Sequence, residues 1–575
     1  MSNDQKIYPH VEPEIENWPI YKLHQDRDNF IEEIDENTLE RLTAKPRNDI
    51  EDLIAKTIYQ ELTRIKEEPW KVDPPDDKSF WKKIKSKLVK YSLDKPAEEA
   101  KQNNNAILAQ IINHYSEEIV GTFKVSTFKF ARRFLTLFFN RLLNTAASRN
   151  HKRIYSSRHR LFDRLSINGE VDKVRSLMKE GTVVVVPTHF SNLDSILIGY
   201  VLDTIAGIPF SSFGAGLNLY NTGYTAYYMN RLGAYRVDRR KKNGVYLETL
   251  KTMSRLSIQR KTNSLFFPGG TRSRSGELET RLKLGLLGTA VEAQRNNYQE
   301  GKDEKVFIVP LILGYDMVLE ADFLIEQHLQ KTGKEFYLKV KDKTYSRWKI
   351  LSFLWKLFSK SSDICLTFGK PMDVLGNFVD EKGRSFDKNG AELSVADYFI
   401  SDGIVKSDLQ REGEYTKILA DRIVERYYKD NLVLPGHLMS FVSFIILQCQ
   451  NPKLDLYALL RLPVEVYSCP KDLLVKITGT LLSHLKELRE QKEIQLSEYL
   501  LENSLEDIIT HGVAKAGNYH ALKPMKFNTK GALVSEDFKL LYYYHNRLQN
   551  YGFHKIIQVT FAEHATKEVA DAEEV

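Results

Sequence analysis

Cysteine is scarce: Cys365, Cys449 and Cys469 stand far apart in a chain of 575 residues. That spacing suits neither a disulfide framework nor a cysteine-based metal centre and leaves reduced structural thiols. Long apolar runs are also missing. No stretch approaches the roughly 18 uninterrupted apolar residues that a membrane-spanning helix needs. The best, HLMSFVSFIILQC from His437 to Cys449, is too short and predicts a buried helix. The amino-terminal MSNDQKIYPHVEPEIENWP is acidic and contains proline, so it reads as neither a secretory signal nor an Arg-rich transit peptide. Internal repeats and long low-complexity tracts are absent. No strong charge of one sign is present either. The net charge of +7 suits a surface that meets phosphates or acidic lipid without saying which, and nucleic acid is not expected as a partner.

A hydrophobic content of 42% with 28% charged residues describes a folded chain, too long for one core. The pattern divides it into four. Residues 1–105 are polar and helix-prone: NDIEDLIAKTIYQELTRIKEE places Ile50, Leu53, Ile54, Ile58 and Leu62 at helical spacing, and EEPWKVDPPDD stops it. Residues 106–170 form a basic and apolar helical region. Residues 171–372 alternate strand-like runs (GTVVVVPTH, NSLFFPGG, KVFIVPLILGYD, DICLTFGKP) with helical ones, which predicts an α/β domain with a mostly parallel sheet flanked by helices. Residues 373–575 read as mainly helical, with a short strand near KIIQVTF.

The stretch VVVVPTHFSNLDSILIGYVL places His189 on the turn after a buried strand and Asp194 in the first turn of the next helix, capped by Ser191 or Asn192. Open α/β sheets bind ligands at such strand ends. A carboxylate five residues on can accept a ring N–H of the histidine, fix its tautomer and stabilise the imidazolium. A base with its orienter but no serine or cysteine nucleophile implies that the substrate brings its own hydroxyl.

Two further stretches supply positive charge. GAYRVDRRKKNG carries Arg236, Arg239, Arg240, Lys241 and Lys242. In LFFPGGTRSRSGELETRLKLG a strand runs into paired glycines and then Thr271, Arg272, Ser273 and Arg274. Paired glycines admit an anion close to backbone N–H groups, and guanidinium groups add charge-assisted bonds to phosphate. Taken singly, each could equally be a solvated basic loop.

The order H-x-x-x-x-D, G-A-x-x-V-D-R, F-P-G-G-T-R-S-R-S-G and V-P-L-I-L-G-Y-D resembles the four blocks of the glycerolipid acyltransferases, closest to the large bacterial and mitochondrial-type glycerol-3-phosphate 1-O-acyltransferases. FKLLYYYHNRLQNYG is similar to an element of their carboxyl-terminal region. The resemblance implies acyl transfer from acyl-CoA or acyl carrier protein to the sn-1 hydroxyl of glycerol 3-phosphate, with no metal or redox cofactor. It implies His189 as general base and Asp194 as its partner. Arg239, Gly270, Thr271, Arg272, Ser273, Arg274 and Lys283 fall on the glycerol phosphate side, and Pro310 on donor or acceptor positioning. Two departures stand out: Gly269 replaces a common Glu, and Asp238-Arg239 replaces a frequent Arg-Arg, with Arg236 or Arg240 as compensation. Dihydroxyacetone phosphate or lysophosphatidate is the alternative acceptor, and a catalytically weak membrane-bound scaffold the alternative of another class.

SRWKILSFLWKLFSKSS puts Lys349, Lys356 and Lys360 within roughly 40° of one another on a helical wheel, with Trp348 and Trp355 on the other side. That composition predicts membrane contact through Trp348, Lys349, Trp355 and Lys356 at an anionic surface, hence peripheral or monotopic attachment at the cytoplasmic face of the cell membrane.

Overall fold

The computed structural model describes residues 7–44, 47–91, 97–144, 165–220, 223–332 and 364–573. The predicted membrane contacts Trp348, Lys349, Trp355 and Lys356 lie outside the described residues.

A seven-stranded sheet organises the middle of the chain. Its strands are β1 (Leu165–Gly169), β2 (Gly181–Pro187), β3 (Ser212–Gly216), β4 (Ala234–Val237), β5 (Ser264–Leu265), β6 (Lys305–Tyr315) and β7 (Ile364–Phe368), in the order β1-β7-β6-β2-β5-β3-β4. From β6 to β4 all five strands run parallel, while β7 is antiparallel to β6 and β1 follows β7. The sheet is therefore mostly parallel, as the alternating pattern predicts. β2 sits near the middle, and Val183 to Val186 are all at most 1% exposed. A strand covered on both faces reads as a continuous β-branched run. β1 falls inside the stretch expected to be helical. It is a five-residue edge strand with one fully buried side chain, Leu165, and so has little periodic signal.

The polar amino-terminal helices are not a separate body. Helices Arg27–Thr43, Arg47–Glu67, Asp77–Tyr91 and Ala97–Ile119 bury Ile54, Ile58, Trp81, Ile111 and Tyr115 against Val245, Tyr246 and Met253 of helix Gly244–Gln259. The helical spacing of Ile50, Ile54 and Ile58 is thus the contact stripe that braces the helix after β4.

Beyond β7 the chain is mainly helical, as predicted, and adds short strands the sequence did not suggest, among them Phe378–Val379, Ser385–Phe386 and Glu392–Leu393. Two-residue strands have no period to detect. Helix Pro435–Gln450 is buried along most of its length, as HLMSFVSFIILQC predicts, and centres a second core. The expected strand at KIIQVTF is instead part of helix His554–Glu573. Phe553, Ile557 and Thr560 are buried while Val559 is 59% exposed, a helical pattern that a short β-branched run conceals. No helix among the described residues is long and apolar enough to cross a membrane.

Candidate active site

Parallel strands deliver their carboxyl ends to one edge of a sheet. Here β2 leads to His189, β5 to the turn Gly269–Arg274, β4 to Arg239 and β6 to Tyr315. Four motifs that span more than a hundred residues of sequence therefore meet at one edge.

His189 Nδ1 lies 2.8 Å from Asp194 Oδ2. That oxygen also accepts the backbone N–H of Phe190 at 2.7 Å and of Ser191 at 2.9 Å. The Tyr315 hydroxyl donates to the other oxygen, Oδ1, at 2.6 Å. Asp194 is fully buried with these donors around it, so its charge is satisfied where burial would otherwise oppose it. Burial first, and then the Asp194 carboxylate, push the Tyr315 phenol well above its ordinary pKa, which keeps it a donor. With Nδ1 held by the carboxylate, Nε2 is the ring nitrogen left to take a proton. The ring stacks on Phe267 at 4.0 Å between centroids. The expected cap by Ser191 or Asn192 does not form. The helix begins at Asp194 after Leu193, without a side-chain cap. Ser191 Oγ instead donates to Glu320.

The third motif is tied to the first. Ser273 N–H donates to the His189 carbonyl at 2.7 Å. Glu320 accepts from Ser191 Oγ and Asn192 N–H, both at 2.9 Å, and pairs with Arg272 at 3.2 Å. Gly270 has φ +78°, a backbone region that favours glycine. The exposed Lys283 side chain lies over it, within 3 Å of where a Cβ would stand. The Ser273 hydroxyl donates to the Glu277 carbonyl and accepts from Gly276 N–H, shaping the loop. Arg274 donates to the Gln327 side chain at 3.2 Å.

The basic run after β4 separates into two kinds. Arg240 is engaged by Asp238 and Asp73, Lys241 by Glu118, and Arg236 by the Val72 carbonyl with Glu118 at 3.7 Å. Compensation by Arg236 or Arg240 for the missing second arginine is thus not supported, because both are committed internally. Arg239 has no ion-pair partner among the described residues. It is exposed, yet close enough to its neighbours that desolvation, then the charges of Arg274 and Arg272, lower its pKa. Three guanidinium groups that destabilise one another, with one carboxylate among them, favour an anion. Thr271 lies on the same turn.

Pro310 is not brought into this cluster. It is buried in β6, in register with Val186, with its carbonyl accepting Gly369 N–H at 2.9 Å. Motif reading missed Tyr315 as a ligand of Asp194, Glu320 as the staple, and Arg547. Arg547 is buried, donates to Asn431 and the Leu313 carbonyl, and lies over the Phe190 ring at 4.5 Å. Asn546 donates to the Ser275 carbonyl at 2.8 Å. The YYYHNR segment thus supports both the His189 turn and the Gly-Gly loop. Among the described residues no group of three His, Cys, Asp or Glu side chains could hold a metal ion.

Residues 168–314 match the acyltransferase family. Among curated proteins, the glycerol-3-phosphate acyltransferase of Aeromonas hydrophila is 30% identical over 237 residues, 41% of this chain and 27% of that protein. The protein of the same name from Shewanella baltica strain OS155 is 28% identical over 310 residues, 53% of this chain and 34% of the relative. The similarity therefore spans about a third of the length of these relatives.

Proposed function

We propose, because residues 168–314 belong to the glycerolipid acyltransferase superfamily, that the chain transfers a fatty acyl group to the sn-1 hydroxyl of glycerol 3-phosphate, giving lysophosphatidate. The donor is a thioester of coenzyme A or of acyl carrier protein. One observation carries the reading: the His189–Asp194 pair shares a sheet edge with Arg239, a cation without a carboxylate partner among the described residues.

His189 Nε2 removes the acceptor's hydroxyl proton as the oxygen attacks the thioester carbonyl. The tetrahedral intermediate then collapses, and the C–S bond breaks. The proton on His189 passes to the leaving thiolate. Asp194 supports the imidazolium in between, and Tyr315 with two backbone N–H groups holds Asp194. Arg239, Arg272, Arg274 and Lys283 hold the phosphate, and Thr271 and the Gly270 turn border it. A thioester is already activated, so the chemistry asks for no metal or redox group. Pro310 contributes through the sheet beneath the site.

Attachment to an anionic membrane surface is part of the same proposal. Helix Val125–Asn144 exposes Phe130, Phe134 and Leu137 at 57%, 55% and 71%, flanked by exposed Lys129 and Arg133.

The test is acyl transfer by purified protein to glycerol 3-phosphate, dihydroxyacetone phosphate and lysophosphatidate in parallel, with both donors. Conversion of glycerol 3-phosphate alone, abolished by His189→Ala in a folded protein, supports the reading. Conversion of another acceptor redirects it. No conversion of any acceptor ends it.

A further inference from the structure

Glu279 lies three residues beyond the motif F-P-G-G-T-R-S-R-S-G, and the sequence reading gives it no role. It follows the Gly-Gly loop and precedes helix Leu284–Gln299. Its Oε1 accepts the backbone N–H of His189 at 3.0 Å. A Cβ built on Gly269 would stand 2.9 Å from Glu279 Cγ and 3.0 Å from that same Oε1. The carboxylate thus fills the side-chain space that Gly269 leaves open and spans from there to the base-bearing turn. Its second oxygen, Oε2, is buried and has no hydrogen-bond partner among the described residues.

A carboxylate in this position is costly. Burial pushes its pKa up to about 7, against the His189 N–H bond and the Arg547 charge, with Asp194 adding repulsion. Tyr427 and Tyr428 also face it. A stability-driven core would replace such a group by an apolar one. Keeping it makes sense where it fixes a geometry that an apolar side chain cannot fix.

We propose that Glu279 is a positioning residue for the acyl transfer: it wedges between His189 and Gly269 and fixes the base against the phosphate-binding turn. The wedge requires glycine at 269, because any side chain there meets the carboxylate. A carboxylate from ten residues downstream therefore stands beside the position where similar third motifs commonly carry Glu. The inference rests on the acyltransferase reading.

The experiment compares wild type with Glu279→Ala, Glu279→Gln, Gly269→Ala and the Gly269→Ala/Glu279→Ala double variant, using glycerol 3-phosphate and an acyl-CoA. Glu279→Ala is expected to lower kcat about tenfold or more while the acceptor KM stays within about threefold, the pattern of a misplaced base. Glu279→Gln keeps an oxygen that accepts from His189 N–H and is expected within about threefold of wild type. Gly269→Ala is expected to match Glu279→Ala, and the double variant to lose no more than either, since both act through one wedge. Wild-type kcat in Glu279→Ala, or losses that multiply in the double variant, would overturn the proposal. Should Glu279→Ala not fold, Glu279→Gln and Gly269→Ala carry the same comparison. Should wild type acylate nothing, the reading fails, and the wedge is still tested by the rate at which diethyl pyrocarbonate modifies His189. A faster rate in Gly269→Ala than in wild type supports the wedge, and an equal rate overturns it.

Discussion

Tyr315 and Asp194 are joined through Oδ1, the carboxylate oxygen that His189 leaves free, at 2.6 Å. The last residue of β6 thereby sets the orientation of a carboxylate on the helix after β2. Tyr315→Phe keeps the ring and removes only the donor. A hydrogen bond to a buried charge is worth about 1.5–3 kcal/mol. The variant is expected to lose that much stability in urea titration and about tenfold in kcat. An unchanged rate would mean that the backbone N–H groups of Phe190 and Ser191 suffice to hold Asp194.

Adjacent arginines give opposite phenotypes. Arg239 has no ion-pair partner among the described residues, so Arg239→Ala is expected to raise the glycerol 3-phosphate KM by about tenfold or more, the loss of a charge-assisted phosphate contact, with thermal stability near wild type. Arg240 is bound to Asp238 and Asp73. Arg240→Ala leaves Asp238, itself 1% exposed, without its principal cation, and is expected to cost on the order of 3 kcal/mol while the folded fraction keeps its KM. Steady-state kinetics and melting curves on the two proteins decide this, and an exchange of phenotypes would reassign the phosphate site.

Glu279, partly buried with one carboxylate oxygen fully enclosed, gives a pH dependence of stability. Its folded pKa of about 7 lies above the ordinary carboxylate value of 4.5. Between these values the folded state binds the proton more tightly than the unfolded state. Its contribution is therefore fully present below about pH 4.5 and is lost as pH rises through 7, a difference on the order of 3 kcal/mol. Glu279→Gln has no such proton to lose. Its stability relative to wild type is expected to rise from pH 5 to pH 8. A gap between the two melting temperatures that does not change with pH would show that Glu279 titrates near its ordinary value.

How far the site was legible follows from where its information lies. His189 and Asp194 are five residues apart on a strand-to-helix turn, so spacing brings their contact within reach and the further motifs give it weight. The Gly269–Arg274 turn announces itself by glycines and guanidinium groups. Tyr315, Glu320, Glu279 and Arg547 are 90 to more than 350 residues from His189, on elements whose neighbours are decided by sheet order and helix docking. No local pattern distinguishes Glu279 from any other glutamate of a polar loop. The division of the basic run is likewise invisible in sequence, because Arg236, Arg240 and Lys241 are claimed by Glu118 and Asp73 from the amino-terminal region. A helical pattern over residues 47–67 predicts the helix but not that the region supplies counter-charges to the second motif.

Helix Val125–Asn144 offers the last prediction. Phe128 packs inward, while Phe130, Phe134 and Leu137, spaced four and three residues apart, share an exposed side. Exposed Lys124, Lys129 and Arg133 flank that side. Apolar groups bordered by cations match the depth profile of an anionic bilayer surface. Three such side chains inserted to about half depth are worth roughly 3 kcal/mol, or about a hundredfold in partitioning. Replacing all three by serine is expected to lower binding to anionic vesicles by that order in a sedimentation assay. Wild-type binding should itself weaken as salt rises. Because none of the three side chains belongs to the His189–Asp194 cluster, kcat on a short-chain, water-soluble thioester is expected to stay within about threefold. Undiminished vesicle binding by the triple variant would move the contact to another surface of the chain.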